Sequence, residues 1–461
     1  MILTKDEIMK HMEDIIHSIP PHYYADILYD SMAILTIKRS KSGHTSNVKP
    51  KNRGFVFRIF NGKKYYEISH PDLLRLKIQV QQLIQRLTNF SDIELSSYPQ
   101  HNLDQEVGMQ KDFTEIPIQE KINQIDHYYQ EITSQDSHIK NLSIYFQDSI
   151  QERIFYNTEG SCLRQVLPRV AMQFIPIVHA EGKVDSNKMT VSGQGGWEIL
   201  DVLTPELLHK FVEESVDIAR AQLPPSGIYP VICDPSFSGM LAHTIFGHGV
   251  QADTIVTERS YWKRYFNQQV ASELVNISDS AQTGAYGNYI FDDEGVISQK
   301  SPLVENGILT HYLHSRITAT ILNMPNALYG NGRRQNFIHP IYPRNSNTYF
   351  EPGDFELEEM LQGISYGLLI ENGDYGMEEF DGSVQCNSTS GFLIENGEIT
   401  KRVKGIALTG QAREFLLSID AISKGPVEFT GLNSRKGLDE WVPVTYGGVY
   451  IRAQHGFVSP G

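Results

Sequence analysis

The sequence has few cysteines and no long apolar run. Among its 461 residues only Cys162, Cys233 and Cys386 are cysteines, and they are far apart. This odd, scattered set excludes a disulfide framework and a cysteine-rich zinc module, and it fits a reducing compartment. No stretch approaches the roughly 18–20 apolar residues of a membrane span, and the N-terminus lacks the apolar core of a signal peptide. We therefore expect a cytoplasmic protein with no membrane partner.

The sequence also has fewer basic than acidic residues. The chain has 40 Lys and Arg against 55 Asp and Glu, which gives a formal charge of −15. Binding to nucleic acid or to an anionic membrane needs basic surfaces, so this balance argues against both partners. Hydrophobic residues make up 40% of the chain and aromatic residues 10%, enough to build globular cores. The length predicts two or three domains.

The first half of the chain mixes helix and strand signals. A Thr4–Glu7 capping box predicts a first helix ending near Pro20, and Asn61-Gly62 predicts a type I′ hairpin turn. Residues 90–113 are polar and aperiodic, which is typical of a linker. Other predicted elements are an amphipathic helix after Pro71, a helix near 117–133, a hairpin within residues 142–160, a following strand, and a helix from Thr204-Pro205 to Ala221.

After Pro224 the composition changes, and glycines and turn signals recur every roughly 8–12 residues. The segments "LVENGILTHYL" and "LIENGEITKRV" both predict strand–Asn-Gly–strand hairpins. We therefore predict an α+β fold. An N-terminal α/β domain would cover 1–225, with its linker near 90–113, and a β-rich C-terminal domain would cover 226–461.

The stretch "AHTIFGHGV" contains the clearest candidates for chemistry, His243 and His248. Zinc-binding histidines of a metallopeptidase helix usually stand at i and i+4, about 40° apart around the helix axis. Residues five positions apart differ by about 140° instead. The two rings converge only if the helix unwinds at Gly247. Spacing alone leaves two interpretations open, zinc ligands or packed histidines. Hydrolysis would also need a third ligand and a base, and the hydroxyl of Thr244 is not a base.

Two further segments attract attention. "FDDEG" (residues 291–295) places three acids in a row, which favours a solvated turn over a divalent-cation site. "GNGRRQNFIHP" (residues 330–340) is not a phosphate loop, because it lacks the strand–glycine–Lys-Ser/Thr order. Its Arg333 and Arg334 are candidates to hold a carboxylate, either a peptide terminus or an internal acid.

Five segments together resemble one family. They are "LAHTIFGHGVQAD", "YIFDDEGVISQKSPLVENGILTHYLHSRITA", "YGNGRRQNFIHPIYPRNSNTYFEPG", "GFLIENGEITKRVKGIALTG" and "VPVTYGGVYIR". In this order and spacing they are similar to the TldD/PmbA (TldD/TldE) family, long labelled modulators of DNA gyrase. The resemblance covers residues 228–461, and the first half is compatible without sharp motifs.

The resemblance implies a zinc metallopeptidase that cuts unstructured peptides in an enclosed cavity and acts in peptide maturation and clearance. It also implies homodimers or TldD–TldE heterodimers, in which the TldE type lacks the catalytic groups. The family motif HExxxH places both metal histidines on His243 and His248 and the glutamate base on Thr244. Its cysteine ligand falls near Ser434 to Lys436, where this chain has no cysteine. Cys386 lies far from that position and is expected to be a buried structural thiol.

We therefore predict a degenerate member of the family that serves as a peptide-binding or partner subunit, with Zn²⁺ weakly held or absent. The peptide cavity, including Arg333 and Arg334, is expected to persist. The alternative is an active zinc metallopeptidase with a rearranged site. In that case a further ligand would come from the acids and histidines elsewhere, with candidates Asp253, His311, His314 and His339.

Overall fold

The computed structural model describes residues 4–90, 92–438 and 440–461. Helices and strands are both abundant, as the α+β prediction requires. The α-helices are α1 Lys5–His17, α2 Leu73–Ile84, α3 Ile118–Gln135, α4 Pro205–Arg220, α5 Pro235–Ala242, α6 Ala252–Val256, α7 Arg316–Ile321, α8 Leu357–Leu361 and α9 Ala412–Leu417. Two 3₁₀-helices span Trp197–Val202 and Tyr261–Tyr265, and a π-helix spans His243–His248. Within the described ranges, no helix is both long and apolar enough to cross a bilayer.

The first strands form one eight-stranded sheet. They are β1 Tyr24–Ser40, β2 Gly43–Phe60, β3 Tyr65–His70, β4 Asn102–Glu106, β5 Ile139–Asn157, β6 Cys162–Ala180, β7 Lys183–Ser186 and β8 Met189–Gln194. The order is β3-β2-β1-β5-β6-β4, and β7 and β8 also pair with β6. Every pairing is antiparallel except β4 with β6.

Helices cover one face of this sheet. The α1 and α2 helices pack over Ile27 and Phe57, and α3 and α4 pack over Ile144 and Phe174. The Thr4–Glu7 capping box begins α1 as predicted, because the Thr4 hydroxyl accepts from the Glu7 amide and the Glu7 carboxylate accepts from the Thr4 amide. The helix beginning at Thr204-Pro205 is also confirmed.

Three local predictions for this half were wrong. Residues 142–160 form no hairpin, since β5 is a single 19-residue strand whose polar positions face a buried interface instead of a turn. The segment 90–113 is more than a linker, because β4 lies within it. The Asn61-Gly62 turn is not type I′, because only Gly62 has a positive φ while Oδ1 of Asn61 accepts from the amides of Lys63 and Lys64. The domain boundary near 225 stays a prediction.

The later strands form two larger sheets and two small ones. They are β9 Gly227–Cys233, β10 Ile277–Ser280, β11 Lys300–Glu305, β12 Ile308–Leu309, β13 Gly332–Arg333, β14 Tyr342–Pro343, β15 Asn347–Phe350, β16 Tyr366–Glu378, β17 Ser383–Glu395, β18 Glu398–Gln411, β19 Ile419–Ile422, β20 Glu428–Thr430, β21 Asn433–Lys436, β22 Glu440–Pro443, β23 Thr445–Gly448 and β24 Ile451–Pro460. One sheet has the order β12-β11-β10-β15-β23-β20, and the other β18-β17-β16-β9-β24-β19. A further β18–β24 pairing closes five strands of the second sheet into a ring. β13 pairs with β14, and β21 with β22.

Both predicted Asn-Gly hairpins are present. Asn306 and Gly307 join β11 to β12, and Asn396 and Gly397 join β17 to β18. All four residues have positive φ, as a type I′ turn requires.

The α5 helix lies between the two larger C-terminal sheets, in contact with β16 on one side and β23 on the other. Its closest approach is at Gly239, where a Cβ would lie 2.7 Å from the backbone carbonyl carbon of Gly447. Glycine at this position lets the helix rest directly on the strand. This contact positions the π-helix, which follows α5 directly, between the two sheets.

The other face of the N-terminal sheet carries both buried charges and an apolar cluster, and it packs against the C-terminal half. Arg58 joins Asp26 to Glu294, and Arg153 joins Asp30 to Asp293 (both arginines are on the sheet). The expected solvated turn at "FDDEG" was wrong, because its three acids are almost completely buried. Arginines pair with Asp293 and Glu294, and Asp292 accepts hydrogen bonds from backbone amides, which a sequence of adjacent acids does not reveal.

Candidate active site

The two candidate histidines lie at the two ends of the π-helix His243–His248. Asp234 caps the preceding α5 and Pro235 occupies its first turn. A π-helix bonds residue i to residue i+5, so residues five apart face the same side. The Nε2 atoms of His243 and His248 are accordingly 3.1 Å apart. The expectation that the helix must unwind at Gly247 was wrong, because the helix widens instead.

Gly247 leaves room for the group that orients His243. A Cβ at Gly247 would lie 2.9 Å from Oγ1 of Thr348 and 3.3 Å from Nδ2 of Asn345. Nδ2 of Asn345 lies 2.9 Å from Nδ1 of His243, and Oδ1 of Asn345 is buried without a hydrogen-bond partner in the described structure. With the amide turned over, Oδ1 would accept from Nδ1–H and leave the Nε2 lone pair free for a ligand.

The surroundings of the histidine pair are positively charged. Burial lowers the pKa of His243 to about 4, assisted by Arg344. Burial also lowers the pKa of His248 well below its ordinary value, with contributions from His243, Arg344 and Lys436. Both rings are therefore neutral at neutral pH. The same two cations oppose the binding of a divalent cation between the rings.

Ser434, on β21, completes the group of polar atoms. Its Oγ lies 3.1 Å from Nε2 of His248. The resemblance places the family's cysteine ligand near residues 434–436. Within this segment, the side chain of Lys436 forms an ion pair with Asp253. The hydroxyl of Ser434 therefore stands beside the histidine pair where the resemblance leads one to expect a thiolate.

Thr244 packs against the second sheet and shares a cavity with His248. It is buried, and a Cβ on Gly376 would lie 2.4 Å from its Oγ1 and 2.9 Å from Sγ of Cys386. Burial raises the pKa of Cys386 to about 12, so the thiol stays protonated. Cys386 is thus a buried thiol beside the Thr244 side chain.

A cavity of about 330 Å³ lies next to Thr244 and is also lined by His248 and Glu378. Burial raises the pKa of Glu378 to about 8, although a hydrogen bond from Nε1 of Trp262 to Oε1, 2.6 Å long, opposes the shift. A carboxyl with such a pKa can hold or release a proton near neutral pH. Sequence reasoning did not find Glu378, since a lone glutamate in a strand carries no motif.

The donor atoms only partly fit a zinc ion. Two nitrogen ligands of a tetrahedral zinc lie about 3.3 Å apart, close to the 3.1 Å between the Nε2 atoms. However, no group of three His, Cys, Asp or Glu side chains suited to a metal occurs in the part of the chain that the structure describes. A neutral hydroxyl does not substitute for a thiolate as third ligand.

The reserve ligands are engaged elsewhere. Asp253 pairs with Lys436, and His314 lies beside Thr318. His311 contacts Tyr329, and His339 contacts Asn336. None of the four joins the histidine pair in a three-ligand group within the described residues.

His243 also lines a cleft of about 770 Å³, which lies between the two halves of the chain. The N-terminal half contributes Lys188, Phe211 and Glu214, among others. The C-terminal half contributes several acids, and burial raises the pKa of Asp234 to about 7. The cleft is wide enough for a ligand and reaches the histidine pair directly.

Arg333 and Arg334 line a different cavity, of about 270 Å³. Arg333 donates to the backbone carbonyls of Asn345 and Pro443, at 2.6 and 2.8 Å. Arg334 pairs with Glu67 at 2.9 Å. The arginines thus line a different cavity from the histidine pair, with Arg333 joined to His243 through Asn345, and their predicted role in the peptide cavity stays a prediction.

Two family models match this arrangement of segments. The PmbA/TldA metallopeptidase central domain matches residues 111–223, and the PmbA/TldA metallopeptidase C-terminal domain matches residues 226–452. A metalloprotease of Methanocaldococcus jannaschii is 33% identical over 341 residues, which is 74% of each chain. The chain belongs to the PmbA/TldA metallopeptidase family. This confirms the TldD/PmbA resemblance.

Other similarities agree with the PmbA/TldA family. A zinc metalloprotease TldD homologue of Saccharolobus solfataricus is 29% identical over 342 residues, covering 73% of this chain and 75% of that one. A Thermotoga maritima structure labelled a modulator of a DNA gyrase aligns with a TM-score of 0.78 at 17% identity, covering 99% and 100% of the two chains. TldE from Thermococcus kodakarensis aligns with a TM-score of 0.72 at 14% identity, covering 98% and 99%. At these identities the two structures are evidence for the fold alone.

Proposed function

We propose that this chain is a catalytically degenerate PmbA/TldA member, a peptide-binding or partner subunit in peptide proteolysis and maturation. The observation that carries the proposal is the Ser434 hydroxyl, 3.1 Å from Nε2 of His248. It puts a neutral oxygen where the family resemblance expects an anionic sulfur. Loss of that negative charge, next to Arg344 and Lys436, favours weak or absent zinc.

The missing base supports the same proposal. Thr244 occupies the position of the family's glutamate, and a hydroxyl cannot take a proton from water near neutral pH. Loss of a general base costs about 10²–10⁴-fold in rate. The cleft beside His243 nevertheless remains open to a ligand from both halves of the chain. Retained binding space together with missing catalytic groups fits a subunit that binds peptides without cutting them.

A partner of TldD/TldE type is part of the proposal, as either a homodimer or a heterodimer. The end of the β16–β17 hairpin supports it, because Tyr375, Met377 and Phe380 are 54%, 51% and 74% exposed. Adjacent exposed apolar side chains are typical of a protein interface. An intact HExxxH paralogue that co-purifies with this chain would supply the missing catalytic groups. A cytoplasmic location also belongs to this proposal, and the three free cysteines support it.

The second candidate is an active zinc metallopeptidase with a rearranged site. Glu378 favours it, because this carboxyl lines the same cavity as Thr244 and His248 and has a pKa raised to about 8. In this candidate, Glu378 would accept the proton of the attacking water, the role that the resemblance gives to the family's glutamate. The third ligand would still be missing among the described residues.

Metal content and peptide cleavage separate the two candidates. We expect protein purified without chelator to hold far less than one zinc per chain and to leave an unfolded peptide intact. The variant Thr244→Glu/Ser434→Cys should bind close to one zinc per chain and cleave the peptide, since the cavity beside Thr244 has room for a longer side chain. The matched variant Thr244→Gln/Ser434→Ala should do neither. Stoichiometric zinc with chelator-sensitive cleavage by the unmodified chain would contradict the first candidate, and its loss in Glu378→Gln would support the second.

A further inference from the structure

The cavity of about 270 Å³ that Arg333 and Arg334 line lies between the N-terminal sheet and the C-terminal half. Arg153, Arg169, Arg333 and Arg334 line it, with no carboxylate among the lining residues. Its volume is near the lower end of the roughly 300–1,000 Å³ of ligand sites, which suits one terminal residue of a peptide. It shares Asn433 and Trp441 with the cleft that reaches His243.

The four arginines differ in their partners. Arg153 and Arg334 form ion pairs with carboxylates. Arg169 and Arg333 form none with the described residues. Arg169 donates from Nε to the carbonyl of Tyr286 and from Nη2 to that of Asn288, at 2.8 and 2.7 Å.

Two buried guanidinium groups at this cavity therefore have no ion pair with the described residues, although Asp279 and Asp293 attract Arg333 from a longer distance. Arg169 and Arg333 are only 1% and 4% exposed, and Nη1 of Arg169 has no hydrogen-bond partner in the described structure. Burial lowers the pKa of Arg169 to about 9, with repulsion from Arg333 and Arg153. The group is still charged at neutral pH. Buried charges in proteins are normally paired, so an unpaired set at a cavity wall calls for an anion.

The remaining lining suits a carboxylate. Tyr286 and Tyr289 lie beside the arginines, with the guanidinium carbon of Arg333 4.5 Å from the ring centre of Tyr289. Gln147 and Gln151 add side-chain amides to the wall. A guanidinium offers parallel N–H donors that match the two oxygens of a carboxylate.

We propose that Arg169 and Arg333 form a carboxylate-binding subsite at the end of the cleft, which takes the C-terminal carboxylate of a bound peptide. The inference rests on the proposed peptide-binding function and adds the substrate class, peptides with a free carboxyl end that reaches this cavity. It does not depend on zinc or on cleavage.

Binding of three short peptides to the unmodified chain tests the subsite. The probes are N-acetyl-tetraalanine with a free carboxylate, the same peptide as its C-terminal amide, and an amide that contains one glutamate. Calorimetry at constant ionic strength should show the free acid binding at least tenfold more tightly than the alanine amide. Tight binding of the glutamate amide as well would extend the subsite to acidic side chains and still support carboxylate recognition.

Other outcomes would overturn the inference. Equal affinity of the free acid and both amides would remove the subsite and leave the peptide-binding function intact. Absence of binding by all three peptides would contradict both proposals. Competition by inorganic phosphate at lower concentration than acetate would assign the cavity to a different anion.

A matched pair of variants localises the effect. Ile34 is half-buried on β1 and lines the cavity. Ile34→Glu would place a carboxylate beside the arginines and should abolish the preference for the free acid, whereas Ile34→Gln, of equal size without the charge, should keep it. Circular dichroism and the melting temperature confirm that both variants fold. A free-acid preference that survives in Ile34→Glu would place the carboxylate elsewhere.

Discussion

Two sets of arginines lie in the buried interface between the N-terminal sheet and the C-terminal half, and they differ in whether a carboxylate neutralises them. Arg58 and Arg153 each contact two carboxylates, one from the sheet and one from the "FDDEG" segment. Arg169 and Arg333 bind backbone carbonyls and have no ion pair with the described residues. Paired charges hold the two halves of the chain together, whereas unpaired charges at a cavity leave binding capacity for a ligand. The comparison teaches that burial alone does not tell a structural arginine from a binding one.

The largest expected effect is from Arg153→Met. Its removal leaves Asp30 and Asp293 buried without their cation, and such a loss costs about 3–5 kcal/mol of the free energy of unfolding. Urea unfolding followed by tryptophan fluorescence measures it. Lys263→Met is the control, because solvent screens the exposed pair Lys263–Glu258 and its loss should leave the free energy of unfolding almost unchanged. Similar losses in the two variants would erase the distinction between buried and exposed pairs.

Arg169→Met should cost clearly less than Arg153→Met, about 1–2 kcal/mol. Two carbonyls lose a donor, but no carboxylate is left unpaired and repulsion from Arg333 is relieved. The same urea measurement under the same conditions gives the difference between the two variants. A loss as large as that of Arg153→Met would mean that Arg169 is also a structural arginine.

Glu378 is a carboxyl group whose hydrogen-bond partner is the indole of Trp262 and not a cation, so it corresponds to the arginines that lack an ion pair. The folded-state pKa is about 8 against an ordinary 4.5, so the folded state keeps a proton that the unfolded state loses between these values. Stability should therefore fall as the pH rises from about 4.5 to 8. Glu378→Gln should abolish this fall, matching the unmodified chain at pH 5 and exceeding it at pH 9.

The gain at pH 9 should be on the order of 1–2 kcal/mol, discounted because the carboxyl is partly exposed. Melting temperatures across this pH range measure it. Asp381→Asn, on the exposed hairpin end and bonded to Ser383, is the control with no expected gain at alkaline pH. Parallel pH profiles for the unmodified chain and Glu378→Gln would show that Glu378 titrates like an exposed acid.

Most local signals that are complete within a few residues were predictable, with the Asn61-Gly62 turn as an exception. The Thr4 and Thr204 helix caps and the Asn306-Gly307 and Asn396-Gly397 turns depend on neighbours in sequence, and all formed as expected. The long β5 and the buried acids of residues 292–294 were missed. Some of their polar residues have partners more than 100 positions away, such as Arg153 with Asp30 and Glu294 with Arg58, so the local pattern resembles turns and solvent exposure.

The sequence by itself determined the family, through five ordered segments, and it made His243 and His248 the candidate metal ligands, with Thr244 and the segment near residue 434 at the positions where the resemblance expects a base and a cysteine. Only the tertiary structure decided that a π-helix brings the two rings to 3.1 Å and that Ser434, from β21, is the residue beside them. It also decided which arginines are paired. A spacing in sequence becomes a distance only when the helix type is known, and a charge finds or lacks its counter-ion only when distant strands pack together.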